Sequence, residues 1–270
     1  MFGPTLVSLL AGTSSLAFAQ EAQDEAKEPT VVMSEIVVTA QKRAQRMQDV
    51  PVSMTALTGD ALRAAGIRDV KDMQVLIPGL NVNSSSNEVT TTVRIHGVGT
   101  VGENPGIESS VGIVIDGVYR PRNGVGFSDL GPLERIEVLR GPQGTLFGKN
   151  TSAGVVSIVT EAPEFEFGGR AELTVGNYGA LGGSINLTGP IVEEKLAASA
   201  FFSHRVRDGF YDVSVGEGPR TELEDADQNY YTGRVQFLFL PTENLNARLI
   251  GDFTHRRDNC CVGVTTIAGA

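Results

Sequence analysis

The sequence predicts an α+β domain over residues 45–162, a mixed β-sheet with short helices, followed over 163–270 by antiparallel transmembrane β-strands. Three observations carry this reading. Helix caps and short β-branched runs interleave as far as Ala162. From Phe167 onward the helix signals stop, and long runs alternate apolar with polar residues. Each run has about the 9–11 residues that a tilted strand needs to cross a bilayer.

Residues 1–19 read as an export signal. Leu6 to Leu10 is apolar, and Ala17-Phe18-Ala19 is a small-residue cleavage pattern, although no Lys or Arg precedes Lys27 to supply a basic start. A short buried helix is the alternative. Residues 20–44 form a polar, acidic spacer that contains one extended run, Ser34 to Ala40. Val, Ile and Thr favour strand there. A lone strand beside a polar tail has little to pack against locally, so pairing with another protein's sheet edge is one reading. The first strand of the next domain is the other.

Within 45–162, Thr58 is placed to cap a helix from Gly59 to about Ala65, closed by Gly66. Asp69 is placed to cap a second, with Val70, Met73 and Ile77 on one face and Pro78-Gly79 as its stop. Short strands follow at Thr91 to His96, Val111 to Ile115, Val118 to Arg120, Glu134 to Arg140 and Val155 to Thr160. Asp116-Gly117 is a hairpin-turn signal.

Five alternating runs occupy the remainder. Leu196, Ala198, Ala200, Phe202 and Val206 share one face, and Ser199, Ser203, Arg205 and Arg207 the other. Tyr231, Val235, Phe237 and Phe239 likewise oppose Arg234 and Gln236, and Leu249 and Phe253 oppose Arg248 and Asp252. Tight turns at Pro190 to Glu194 and Pro241 to Glu243 contrast with a long acidic loop, Gly209 to Asn229. Outer-membrane barrels have this asymmetry. A soluble antiparallel sandwich also alternates, and the pattern alone leaves it open. Five strands are too few to close a barrel, so the chain is expected to be part of a longer protein.

A net charge of -10 argues against binding nucleic acid. With 32 glycines, no tryptophan and 20% charged residues, the composition suits a turn-rich β protein better than a helical bundle. No apolar stretch is long enough for a transmembrane helix. The two cysteines, Cys260 and Cys261, are adjacent, which fits no metal or redox motif. His96, His204 and His255 have no metal-ligand spacing, and His204 falls on an outward, apolar register. Gly141 to Asn150 fails the phosphate-loop pattern at Gln143 and Asn150, so Gly141, Gly144 and Gly148 read as turns, like Gly117. Nothing supports an enzyme, a metal or a cofactor.

Asp129 to Gly148, containing Leu133-Glu134-Arg135-Ile136-Glu137-Val138-Leu139-Arg140-Gly141-Pro142, strongly resembles the plug signature of the TonB-dependent outer-membrane receptors. Ser152 to Thr160 continues it, and Val111 to Tyr119 resembles the plug hairpin. The resemblance implies a plug inside a 22-stranded barrel, of which this chain is an N-terminal portion with an incomplete barrel. Glu35, Ile36, Val37, Val38, Thr39 and Ala40 then resemble the coupling (TonB) box, which pairs with a periplasmic energy transducer. Arg140 matches one of two plug arginines that face barrel glutamates in the family. At the other, His96 stands in place of arginine, with Arg94 two residues earlier on the same strand face. Asn83, Asn87, Thr100 and Asn104 are ligand-facing candidates by their polar loop composition. The implied function is energy-coupled import of a scarce ligand, such as an iron–siderophore complex, across the outer membrane, with the plug facing the periplasm. Outer-membrane lipid, the transducer and the ligand are the implied partners. A non-transporting binding or signalling module and a non-functional truncated product are the competing readings.

Overall fold

A computed structural model describes residues 36–39, 42–67, 71–84, 91–100, 108–121, 124, 129–212 and 224–259. The expected export signal over residues 1–19 and the spacer as far as Glu35 lie outside the described residues, as do Cys260 and Cys261. The elements run β1 (Val37–Val38), β2 (Gln45–Arg46), β3 (Met54–Thr58), α1 (Gly59–Ala64), β4 (Leu80–Ser84), β5 (Thr91–Ile95), β6 (Val111–Ile115), β7 (Val118–Arg120), β8 (Leu133–Arg140), α2 (Gly144–Phe147) and β9 (Gly154–Thr160). The strands β10 (Gly168–Val175), β11 (Leu181–Val192), β12 (Leu196–Arg207), β13 (Tyr211–Asp212), β14 (Glu224–Asp225), β15 (Gln228–Thr242) and β16 (Leu245–Arg256) follow.

Local chemistry sets the first elements. The Thr58 hydroxyl accepts from the Ala61 N–H and starts α1, and Gly66, at φ 70°, ends it. The second expected helix is only a 3-10 turn, Asp72–Val75, because Pro78 follows too soon for a longer run; its proposed cap Asp69 and Val70 lie outside the described residues. Met73 and Ile77 are nonetheless buried, as their spacing implied.

The plug sheet has the order β3-β8-β9-β6-β7, with β6 and β9 parallel and the other pairs antiparallel. Both its faces are covered. Leu62, Met73, Ile77, Ile113, Ile136, Val138 and Ile158 belong to one core, and Val38, Val50, Ala56, Val114, Leu139 and Val155 to the other. Strand β8 is therefore buried on both faces from Arg135 to Leu139, and its polar register, Arg135 and Glu137, is buried with the rest.

The long strands form one antiparallel sheet in the order β10-β11-β12-β15-β16, with β10 and β16 as its edges among the described residues. The inner face lies on the plug and buries Ala197, Ser199, Ser203, Arg205, Thr232, Arg234 and Gln236. The outer face exposes Leu173, Ile185, Leu187, Phe202, Val235, Phe237, Leu249 and Phe253. A soluble sandwich buries its apolar register. Here the buried register is polar and the exposed one apolar, the arrangement of a barrel whose outside meets lipid. No helix among the described residues is long and apolar enough to cross a membrane.

Candidate functional site

The segment resembling the coupling box is docked on the plug. Val37 and Val38 pair with Arg46 and Gln45, and the Met47 N–H donates to the Ile36 carbonyl at 2.9 Å. Val38 is fully buried in the second core while Val37 points outward, 48% exposed. The Thr39 N–H donates to Glu137 Oε1 at 2.8 Å. The Arg135 guanidinium reaches both groups, donating from Nη2 to Thr39 Oγ1 at 3.0 Å and from Nε to Glu137 Oε1 at 2.7 Å. The Glu137 carboxylate is fully buried, and its other oxygen, Oε2, has no hydrogen-bond partner among the described residues. A buried carboxylate is tolerable only when a charge and donors compensate it. Here Arg135 is the compensating charge and the backbone of Thr39 one of the donors.

A second set of buried ions joins the plug to the strand sheet. Asp129, just before β8, accepts two bonds from Arg205 of β12, at 2.9 and 2.6 Å. Asp116, at the turn between β6 and β7, accepts from the Thr160 N–H at 2.9 Å and from Arg234 of β15 at 3.2 Å. Arg248 of β16 lies 3.7 Å from the same carboxylate and also donates to the Thr160 and Glu161 carbonyls, at 3.1 and 3.0 Å. Arg234 and Asp116 are only 3% and 6% exposed, so water screens this pair little. Between the two ion groups, the Phe201 ring of β12 packs on Gly131. A Cβ there would stand 3.0 Å from the ring, and the residue's φ of 80° also favours glycine.

The expected site residues do not form one cluster. Glu35, Ala40, Asn87 and Asn104 lie outside the described residues. Arg140 donates to Thr55 Oγ1 at 2.8 Å, within the plug. Arg94 sits on β5 opposite Asn81. His96 is not on that strand, which ends at Ile95: His96 and Gly97, at φ 51° and 79°, form a tight turn closed by the Ile95–Val98 bridge. The shared strand face expected for Arg94 and His96 is therefore lost at the turn. None of Arg94, His96 and Arg140 makes an ion pair among the described residues; charged contacts with the strand sheet come from the plug carboxylates and strand arginines described above and from Arg120 of β7, which donates to Asp252 of β16 at 3.0 Å. Gly117, Gly141 and Gly148 adopt positive φ in turns, whereas Gly144 opens α2 with ordinary helical geometry. Asn83 donates to Asn81 Oδ1 at 2.9 Å, and Thr100 shares a hydrogen bond with Ser110 at 2.7 Å. No group of side chains suited to a metal ion occurs among the described residues.

The arrangement matches known proteins. Residues 46–155 match the profile of the TonB-dependent Receptor Plug Domain. Those residues form a plug domain of the TonB-dependent receptor type. It is 32% identical over 179 residues to the pesticin receptor of Yersinia pestis, an alignment covering 65% of this chain and 26% of that protein. It is 28% identical over 206 residues to the ferrioxamine B receptor of Salmonella typhimurium, covering 74% and 28%. The chain thus spans about a quarter of the length of these curated relatives. Among solved structures, the ferric yersiniabactin uptake receptor of Yersinia pestis superposes with a TM-score of 0.61 at 27% identity, covering 71% of this chain and 29% of that one. The pyoverdine outer membrane receptor of Pseudomonas aeruginosa superposes at 0.66 with 18% identity over 81% and 30%, a likeness of fold.

Sequence reasoning missed Asp116, Asp129, Arg135 and Glu137 as site residues. The inward arginines of the strands were visible in the alternation. Charged side chains on the register facing a plug require partners there, and that requirement points to plug carboxylates.

Proposed function

We propose that this chain is the coupling and gating end of an energy-coupled outer-membrane importer. Its cargo is a scarce ligand such as an iron–siderophore complex, and its plug faces the periplasm. The names of the relatives, among them receptors for ferrioxamine B and ferric yersiniabactin, support the cargo class. The single observation that carries the mechanism is the docking of Val37–Thr39 on Glu137 and β2. One backbone edge of this segment, a surface on which a transducer strand could add by β-augmentation, is already occupied within the chain by β2, and the Thr39 N–H by Glu137. Engagement exchanges a two-residue ladder for an intermolecular one, lifts Val38 from its core and takes one donor from Glu137. A pull on the exchanged strand next reaches β3, an edge strand, while Asp116, Asp129 and the end of β9 stay tied to the strand sheet. The plug then opens from its coupling side. Val37→Pro removes a backbone donor from the exchanged strand. It should abolish energy-dependent uptake by the membrane-inserted protein and leave ligand binding intact. Unchanged uptake would refute the coupling assignment.

A further inference from the structure

We infer that the cargo route opens between α1 and strands β10–β12 rather than along β15 and β16, and that the Glu161 carboxylate is the latch that keeps it shut. Two cavities already lie on that side of the plug. The first, of about 90 Å³, separates Leu62, Arg63 and Leu133 of the plug from Ser184 and Asn186 of β11. The second, of about 240 Å³, separates Pro132 and Ala162 from Thr188 of β11 and Ser199 of β12. Pro132, Arg170 and Asn186 line both, so the two adjoin. Glu172, opposite Ser184, and Gly168, opposite Thr188, lie four residues apart, so the pair of cavities follows β10 for about 13 Å.

Side-chain size decides which side of the plug is hollow. The inward register of β11 is small and polar here, with Ser184, Asn186 and Thr188, and leaves room that a hydrophilic solute can share by hydrogen bonding. On β15 and β16 the same register carries Arg234, Arg248 and Asp252, which meet the plug directly.

The latch sits where the two cavities join. Arg63 of α1 donates from Nη1 to Glu161 Oε1 at 2.9 Å, and Arg170 Nη1 of β10 lies 3.6 Å from Oε2. One carboxylate thus bridges the plug helix and the strand wall. Glu161 itself is held in place: its carbonyl accepts from Gln236 at 3.2 Å and from Arg248 at 3.0 Å, and its N–H donates to the Pro132 carbonyl at 3.0 Å. Parting therefore occurs at Arg63, and it strands no charge. Arg63 keeps Asp60, within α1, and Glu161 keeps Arg170. Arg63 and Arg170 are 41% and 50% exposed, so water screens the bridge and it contributes little to stability.

Under the importer reading, on which this inference rests, traction that strips β3 arrives next at α1, because Gly59 follows Thr58 directly. Leu62 is the only large side chain that α1 buries. Asp129 and Arg205 also line the first cavity, and their pair holds the start of β8 while the helix leaves. Withdrawal of α1 merges the two cavities into one polar passage along the wall.

The test reads thiol accessibility in whole cells and needs no cargo. In the membrane-inserted protein with Cys260 and Cys261 replaced by serine, Asn186→Cys reports the hollow side and Thr232→Cys, at a buried position on β15, the clamped side. A bulky polar maleimide is added from outside, with the inner membrane energised or collapsed by a protonophore. Energy should speed labelling of Asn186→Cys about tenfold, as local opening exposes it, and leave Thr232→Cys unchanged. Glu161→Gln keeps the side-chain shape and discharges the bridge, and should raise the gain at Asn186→Cys about two- to fivefold, the scale of a screened ion pair. Val37→Pro should abolish the gain. A gain at Thr232→Cys equal to that at Asn186→Cys overturns the route and leaves the importer reading standing. A gain at Asn186→Cys that Glu161→Gln does not alter overturns the latch. No gain at either position overturns the importer reading, and the route with it.

Discussion

The segment Val37–Thr39 and the strand-facing side of the plug both rest on a buried carboxylate, yet the two are held very differently. Glu137 ties down Thr39 through a backbone N–H and, via Arg135, a hydroxyl. The ladder beside it is two residues long, and Val38 is the segment's fully buried anchor. On the other side, Asp116 and Asp129 receive Arg205, Arg234 and Arg248 from three successive long strands, with the Thr160 N–H as a further donor. Separating a short ladder and one valine from the plug exposes little. Separating a multiply paired ion cluster strands several buried charges at once. The difference gives the plug a firmly held side and a lightly held side, the asymmetry on which the proposed gating by traction rests.

Mutations can break or sharpen this contrast. The largest effect belongs to Asp116→Ala, which leaves Arg234 buried without its carboxylate and the Thr160 N–H without its acceptor. It should destabilise the seated plug by about 3–5 kcal/mol, measured by denaturant unfolding. A loss below about 1 kcal/mol would remove the clamp from the account. Val38→Ala deletes two buried methyl groups on the releasable side. It should cost about 1–2 kcal/mol in local stability, read as faster amide exchange in β1 and β2 with global unfolding nearly unchanged. Glu137→Gln keeps an acceptor for Thr39 but discharges the partner of Arg135. Opening of the segment should rise roughly fivefold, because hydrogen bonds to charged groups are worth about 1 kcal/mol more than neutral ones. The smallest effect is expected at an exposed pair. Lys149 donates to Glu108 at 2.7 Å and holds its carboxyl below the ordinary range. A lowered value adds stability above the ordinary carboxylate range, lost as pH falls through the lowered value. In full solvent that gain is screened, and Lys149→Ala should leave unfolding unchanged.

Much of this organisation is legible in the sequence where its causes are local. The Thr58 cap, the Asp116-Gly117 turn and the alternation of β10–β16 each depend on neighbours a few residues away. The second helix is not separable from a 3-10 turn in the sequence, because a 3-10 turn buries Met73 and Ile77 as well as an α-helix does, and apolar spacing does not distinguish the two over so short a run. His96 continues the extended pattern of Thr91 to Ile95 in the sequence, but β5 ends at Ile95. The carboxylate contacts were out of reach for a different reason. Thr39 and Glu137 are 98 residues apart, and Arg205 and Asp129 are 76. Alternation shows that Arg205, Arg234 and Arg248 point inward, but not which plug residue awaits each one. Burial of Glu137 depends on a cover supplied by residues 36–52, and no pattern within β8 itself records that cover.

Native-state amide exchange on the membrane-inserted protein compares the two sides directly. The account predicts that the amides of Val38 and Thr39 and their partners on β2 exchange through a local opening, at least about a hundredfold faster than those of Ile113, Ile136 and Val156 in the clamped sheet. Equal protection at both sets, with a single common opening, would contradict the division of the plug into a releasable side and a fixed one.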